Sequence, residues 1–114
     1  MAISFNAIGQ AHVSFSAAES AAAGKVCKLT ANGTVGACAP GDSFCGVVTD
    51  VRAGVAAVIM SGYAELPYSG TAPSVGYQTL AADGSGGIKT VATGGRSLLV
   101  VQVDSANGTV GVFL

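Results

Sequence analysis

Few side chains in this sequence could do chemistry, and three of them are cysteines gathered in "GKVCKLTANGTVGACAPGDSFCGVV" (24–48). Cys27, Cys38 and Cys45 could act as nucleophiles, metal ligands, cross-links or packing groups. Zinc sites built from cysteine use closely spaced pairs completed by further cysteine or histidine. Here the spacing is Cys-x₁₀-Cys-x₆-Cys, with no histidine nearby; His12 is the sole one and lies in the N-terminal segment. A Cys–His nucleophilic pair needs the imidazole brought to a thiol in space, and no local signature identifies either partner. Asp50, Glu65, Asp83 and Asp104 are scattered among loops and strand ends, as solvated carboxylates are. "GSGG" (84–87) and "TGGRS" (93–97) lack the strand-to-helix setting of a phosphate-binding loop. No catalytic, cofactor-binding or metal-ligating residue is assigned, and no cofactor is expected.

The elements that would position these groups are built from small residues. The 114-residue chain is one domain by length, with 20 Ala, 17 Gly, 4 Phe, 3 Tyr and no Trp. Small side chains bury little apolar area each, so the core is thin and gains from surface covered by other copies or a larger partner. Five basic and six acidic residues give a net charge of −1, without clusters of either sign. Nucleic acid is bound through concentrated Lys and Arg, so it is not expected as a partner. "AGVAAVIMSGYA" (53–64) is too short to span a bilayer, and no membrane partner is expected. "MAISFNAIGQ" lacks the basic and apolar regions of a secretory signal. A reducing cytoplasm is the expected site of maturation, where disulfides are not the default.

Residues 1–24 differ from the rest. Alternation places Ile3 and Phe5, then Val13 and Phe15, on one side of an extended segment. These four are the predicted contacts with a partner surface or subunit. "SAAESAAAG" (16–24) begins with a capping box and ends in glycine, which predicts at most one short helix. From residue 25 to 114 a single β domain is expected, with Val, Thr and Ile runs broken by "NG", "PGD", "DGSGG" and "TGG". The fold class is all-β: a small antiparallel barrel or sandwich built from hairpins, carrying an extended N-terminal arm. "VAAVIM" (55–60) and "SLLVVQV" (97–103) are continuously apolar and should be covered on both faces.

"ANGTVG" occurs at 31–36 and 106–111, each time with the Asn-Gly pair typical of a type I′ turn. A two-residue turn at Asn32-Gly33 sets Cys27 opposite Cys38 and Lys28 opposite Ala37. One face then carries Cys27, Leu29, Gly36 and Cys38, with Lys28 on the other. Cys27 and Cys38 meet at a hydrogen-bonded site, where side chains stand too far apart to favour a disulfide. Reduced, inward-facing thiols that pack as small hydrophobes are expected.

From about residue 20 onward the order of motifs resembles the capsid cement, or head decoration, proteins of tailed bacteriophages. "AAAGKVCKLTANGTV" leads from small residues into a strand. In "GDSFCGVVTDVRAGVAAVIMSGYAELP" (41–67), Asp50, Ala53 and Gly54 match that family's corner, and Leu66-Pro67 its strand end. "APSVGYQTLAADGSGGIKTV" (72–91) resembles its wet hairpin, with Tyr77 displaced by one place. "GRSLLVVQVDSANGTVGVFL" (95–114) is similar to its closing strands.

The resemblance implies a non-enzymatic virion protein, made in the bacterial host cytoplasm, that binds the outer surface of the capsid shell. Its partner would be the lattice of major capsid protein, and a homo-oligomer is expected, with a trimer favoured. The alternatives are a tail or fibre β domain of a phage, a small ligand-binding β-barrel and a cysteine-dependent hydrolase.

Overall fold

Strand formation follows the β-branched runs, and turns follow the glycines. The computed structural model describes residues 11–114. Among the described residues there are ten strands: β1 Ala11–Ala17, β2 Val26–Ala31, β3 Thr34–Ala37, β4 Gly46–Arg52, β5 Val55–Ser61, β6 Tyr63–Pro67, β7 Gly76–Ala82, β8 Ile88–Thr90, β9 Arg96–Asp104 and β10 Thr109–Phe113. β1 to β5 close into a barrel in the order β1-β3-β2-β4-β5. β6 to β10 form a second sheet in the order β6-β10-β9-β7-β8. Pairing is antiparallel except between β1 and β3, where Ser16 and Ala17 run parallel to Thr34 and Val35. The all-β class expected from the sequence is therefore the one observed.

Gly62, at φ 101°, divides the two layers. It breaks the 55–67 stretch, which has the pattern of one strand, into β5 of the barrel and β6 of the sheet. The two edges of the second sheet are drawn together after β6, where Tyr68 bridges Ile88 and the Ser69 N–H donates to the Ile88 carbonyl at 2.9 Å.

Alternation along β2 and β4 supplies two cores at once. Val26 and Val47 project into the core under the second sheet, with Phe44, Leu66, Leu80, Ile88, Val100 and Val112. Their neighbours Cys27 and Val48 point the other way, into the barrel, with Val35, Ala56 and Val58. Successive side chains of a strand face opposite sides, so β2 and β4 form a wall shared by both cores. The wall is tight. A Cβ on Gly46 would lie 2.5 Å from the Ile59 carbonyl oxygen and 2.6 Å from Val58 Cγ1.

Three expectations are corrected. Residues 16–24 form no helix: β1 runs to Ala17, and the extended backbone continues through Ala17 N–H to Gly54 O and Ala18 N–H to Val35 O. Two turns of alanine would bury little to offset helix nucleation. The Ser20 hydroxyl accepts the Ala37 N–H at 3.0 Å, which ties this segment to the end of β3.

The division at residue 24 also moves. The segment of β1, expected within the 1–24 arm, is a barrel strand held between β3 and β5, with Val13 opposite Val58 and Phe15 opposite Ala56. Ile3 and Phe5 lie outside the described residues.

The β2–β3 register is shifted by one residue. Cys27 stands opposite Ala37, Lys28 opposite Gly36 and Leu29 opposite Val35, with a bulge before Ala31 and Thr34. Only Gly33 of the Asn32-Gly33 pair has positive φ, at 62°. A type I′ turn needs both, whereas a type I turn followed by a left-handed glycine closes a three-residue loop with a bulge. The shift turns β3 over, so Val35 rather than Gly36 joins Cys27 in the barrel, and Leu29 is 56% exposed. Asn107-Gly108 likewise has positive φ at glycine alone. Both central residues are positive at Ala53-Gly54 (50° and 78°), the two-residue connection of β4 to β5.

Double burial is observed on β5, where Val58 and Ile59 are consecutive and both buried. On β9 it is partial: Leu98 and Val100 are buried, while Leu99 and Val101 are half-buried. Replacing Gly46 with Ala should destabilise the protein by about 2 kcal/mol, because backbone blocks the added methyl. Urea unfolding should show a lower midpoint with an unchanged slope; a wild-type midpoint would mean that the wall can relax.

Candidate functional site

The chemically capable groups converge at one end of the shared wall. Cys27 is the second residue of β2, and Cys45 immediately precedes β4. The Cys45 N–H donates to the Cys27 carbonyl at 2.8 Å, which holds the two backbones together. Their sulfurs lie 4.0 Å apart, hydrogen-bond range for sulfur. Cys27 is fully buried, Cys45 is half-buried, and all three cysteines are free thiols.

Arg96, the first residue of β9, reaches over this pair from the second sheet. Its Nη1 donates to the carbonyls of Phe44 at 3.4 Å and Cys45 at 3.3 Å, and its guanidinium lies 5.5 Å from the Phe44 ring centre. Phe44 anchors the segment in the adjacent core.

The two sulfurs differ electrostatically. The Cys27 hydrogen bond stabilises a thiolate on Cys45; it outweighs burial and, with the Arg96 charge, lowers Cys45 to about 7. The same hydrogen bond and its own burial push Cys27 well above the ordinary thiol range. When Cys45 is protonated, the Cys27 S–H has a second acceptor in the Gly46 carbonyl, 3.6 Å away. Cys38 sits apart from this contact. It packs against the core under the second sheet, and burial, with Asp42 nearby, raises it to about 11. The one-residue register shift takes Cys38 away from its expected place opposite Cys27, and the β2–β4 pairing brings Cys45 to Cys27 instead.

The carboxylates hold turns. Asp42 accepts Lys28 Nζ at 2.5 Å and the Ala39 N–H at 2.8 Å. Asp83 accepts the Ser69 hydroxyl and the N–H groups of Ser85 and Gly87. Burial alone would raise Asp83, but these hydrogen bonds hold it below the usual carboxylate value. Asp104 is lowered by the Asn107 side chain and organises the β9–β10 loop. Asp50 pairs with Arg52 at 2.9 Å, and Glu65 accepts Gln102 Nε2 at 3.3 Å. Among the described residues, no group of three or more Cys, His, Asp or Glu is arranged to hold a metal ion. No helix there is long and apolar enough to cross a membrane.

Two surfaces remain. A groove of about 480 Å³ lies between the 69–74 loop and β7–β8, with Ser69, Thr71, Gln78, Lys89 and Thr90 in its lining. The barrel interior itself is filled by side chains. On the face of the second sheet away from its core, register sets Tyr63, Phe113, Leu99 and Tyr77 in one row across β6, β10, β9 and β7, running from the buried Tyr63 to the exposed Tyr77. Tyr63 meets Phe113 edge-on at 5.6 Å and covers Gly111, where a Cβ would collide with its ring. Tyr77 is 74% exposed, and Val75 beside it is 68% exposed. Of the four predicted contact residues, Val13 is 44% exposed on β1, whereas Phe15 packs against the barrel core. Sequence reasoning missed Arg96, which is more than fifty residues from Phe44 and Cys45 along the chain.

No protein-family model matches this chain, and no curated protein matches it.

Iodoacetamide should modify Cys45 first, Cys38 more slowly and Cys27 last, with the Cys45 rate rising through pH about 7. Arg96→Ala should slow Cys45 about two- to threefold at pH 7 by removing a charge that favours the thiolate. Peptide mapping that found Cys38 modified first would contradict this ordering.

Proposed function

We propose that the protein is a non-enzymatic phage structural protein that binds and stabilises the outer surface of a capsid shell. The motifs of the cement-protein resemblance suggest it, and the anchoring of the N-terminal segment is the observation that carries it. β1 is clamped by β5 on one side, from Ala11 to Ser16, and by β3 on the other, at Ser16 and Ala17. Force on the preceding residues would load rows of backbone hydrogen bonds in shear, as a cementing protein requires. Extended segments commonly dock by adding main-chain bonds and side-chain anchors to a partner. Ile3 and Phe5 are the anchors of this reading, with Val13 at the base; Phe15 belongs to the barrel.

The Asp50–Ala53–Gly54 corner forms the β4–β5 hairpin, so it serves as scaffold in this reading. Val75 and Tyr77 add exposed apolar surface suited to close packing on a shell. A homo-oligomer, a trimer in the first instance, would multiply a modest interface through symmetry.

The test is co-sedimentation with capsid shells stripped of this protein. Wild type should bind saturably at a stoichiometry matching lattice symmetry points. Deletion of residues 2–10 should abolish binding while the protein still unfolds in one cooperative transition. A longer deletion through residue 15 would remove most of β1 and open the barrel. Absence of wild-type binding would reject the capsid role, and full binding by the deletion variant would reject the arm as anchor.

A further inference from the structure

The Cys27–Cys45 contact has more than packing in it. Two thiols used only as small hydrophobes would each sit in apolar surroundings and resist ionisation alike. Here Cys45 is half-buried at the edge of the barrel core with the Arg96 guanidinium bonded to its carbonyl, and the sulfur of the fully buried Cys27 lies 4.0 Å from its own. A more exposed attacking thiol backed by a sheltered second thiol is the arrangement that thiol–disulfide exchange uses. Closing the bridge needs the sulfurs to approach from 4.0 Å to about 2.05 Å. The Cys45 N–H to Cys27 O bond holds the two backbones side by side, as a bridge between them requires.

We propose that Cys45 and Cys27 form a thiol–disulfide exchange site that reduces a low-molecular-weight disulfide and closes an internal Cys27–Cys45 bridge. In the first step the Cys45 thiolate bonds to one sulfur of the reagent. The reagent's S–S bond breaks, and one thiolate leaves with the electron pair. In the second step Cys27 gives its proton to the departing thiolate and attacks Cys45 Sγ, expelling the second reagent thiolate. Two cysteine thiols are oxidised, and one disulfide is reduced to two thiols. Modification of Cys45 removes the negative charge beside Cys27, which makes Cys27 easier to ionise for that second attack. Cys38 takes no part, since it packs into the other core. The bridge spans 18 positions of sequence and fastens β2 to the segment leading into β4.

The experiment is incubation of the full chain with oxidised glutathione at pH 8, followed by intact mass and peptide mapping. The expected product is ~2 Da lighter than the reduced protein, links Cys27 to Cys45 and leaves Cys38 open to alkylation. Its melting temperature should rise by roughly 10 °C, as closing a loop of this size predicts. Cys45→Ser should yield no bridge, while Cys27→Ser should stop at a glutathione adduct on Cys45. Should the serine variant at the buried position fail to fold, Cys27→Ala provides the same arrest with an apolar side chain. Cys38→Ser should behave as wild type. A wild-type protein that keeps a stable glutathione adduct, stays unmodified or bridges through Cys38 would overturn the proposal.

Discussion

The two-strand wall of β2 and β4 is the constraint on which the structure depends. Both of its faces are buried, so each adjacent pair of residues must serve two cores at once: Val26 with Cys27, and Val47 with Val48. Neither strand can slide by one residue without exchanging its two sets of side chains. Gly46 makes the wall thin enough for β5 to pass close by, with no room for a side chain between them. A chain this rich in Ala and Gly cannot rely on large aromatic cores. Sharing one wall between two small cores allows Val26, Val47 and Val48 to be covered.

The period-two pattern and the turn residues made the strands legible. Continuous apolar runs also identified β5 as a strand with two buried faces, because no polar residue interrupts Val58 and Ile59. Register was not legible, since Asn-Gly is compatible with both a two-residue turn and a three-residue loop ending in a left-handed glycine. Nothing local between Leu29 and Thr34 distinguishes the two. The choice is settled by Val35, which reaches the barrel core only in the shifted register. Residues 16–24 misled for a related reason. Their helical signals are real, but β3, β4 and the Ala53-Gly54 turn offer backbone partners that a two-turn helix of alanine cannot match.

Much of the candidate site was legible as composition and little of it as geometry. That the cysteines pack inward follows from their apolar flanks. That Cys27 meets Cys45 depends on pairing between strands far apart in sequence, and Arg96 arrives from the other sheet. Surroundings then divide chemically identical side chains into different species: burial raises Cys38, the hydrogen bond with Cys45 and burial raise Cys27 further, and that same hydrogen bond lowers Cys45. The carboxylates show the converse. Asp83 and Asp104 resemble solvated charges in sequence, yet each collects several N–H or O–H donors and fixes the course of a loop.

The shared wall has a consequence for synthesis on the ribosome. All five barrel strands lie between Ala11 and Ser61, so the barrel can close before the second sheet exists. Val26, Phe44 and Val47 belong to the other core, and they must wait for β6 to β10, ending at Phe113. At a translation rate of about 5–20 residues per second, that interval lasts roughly 3–10 s. For those seconds the nascent barrel carries an apolar face with no cover. A chaperone, or another nascent chain, could recognise this face before the protein's own C-terminal half closes over it.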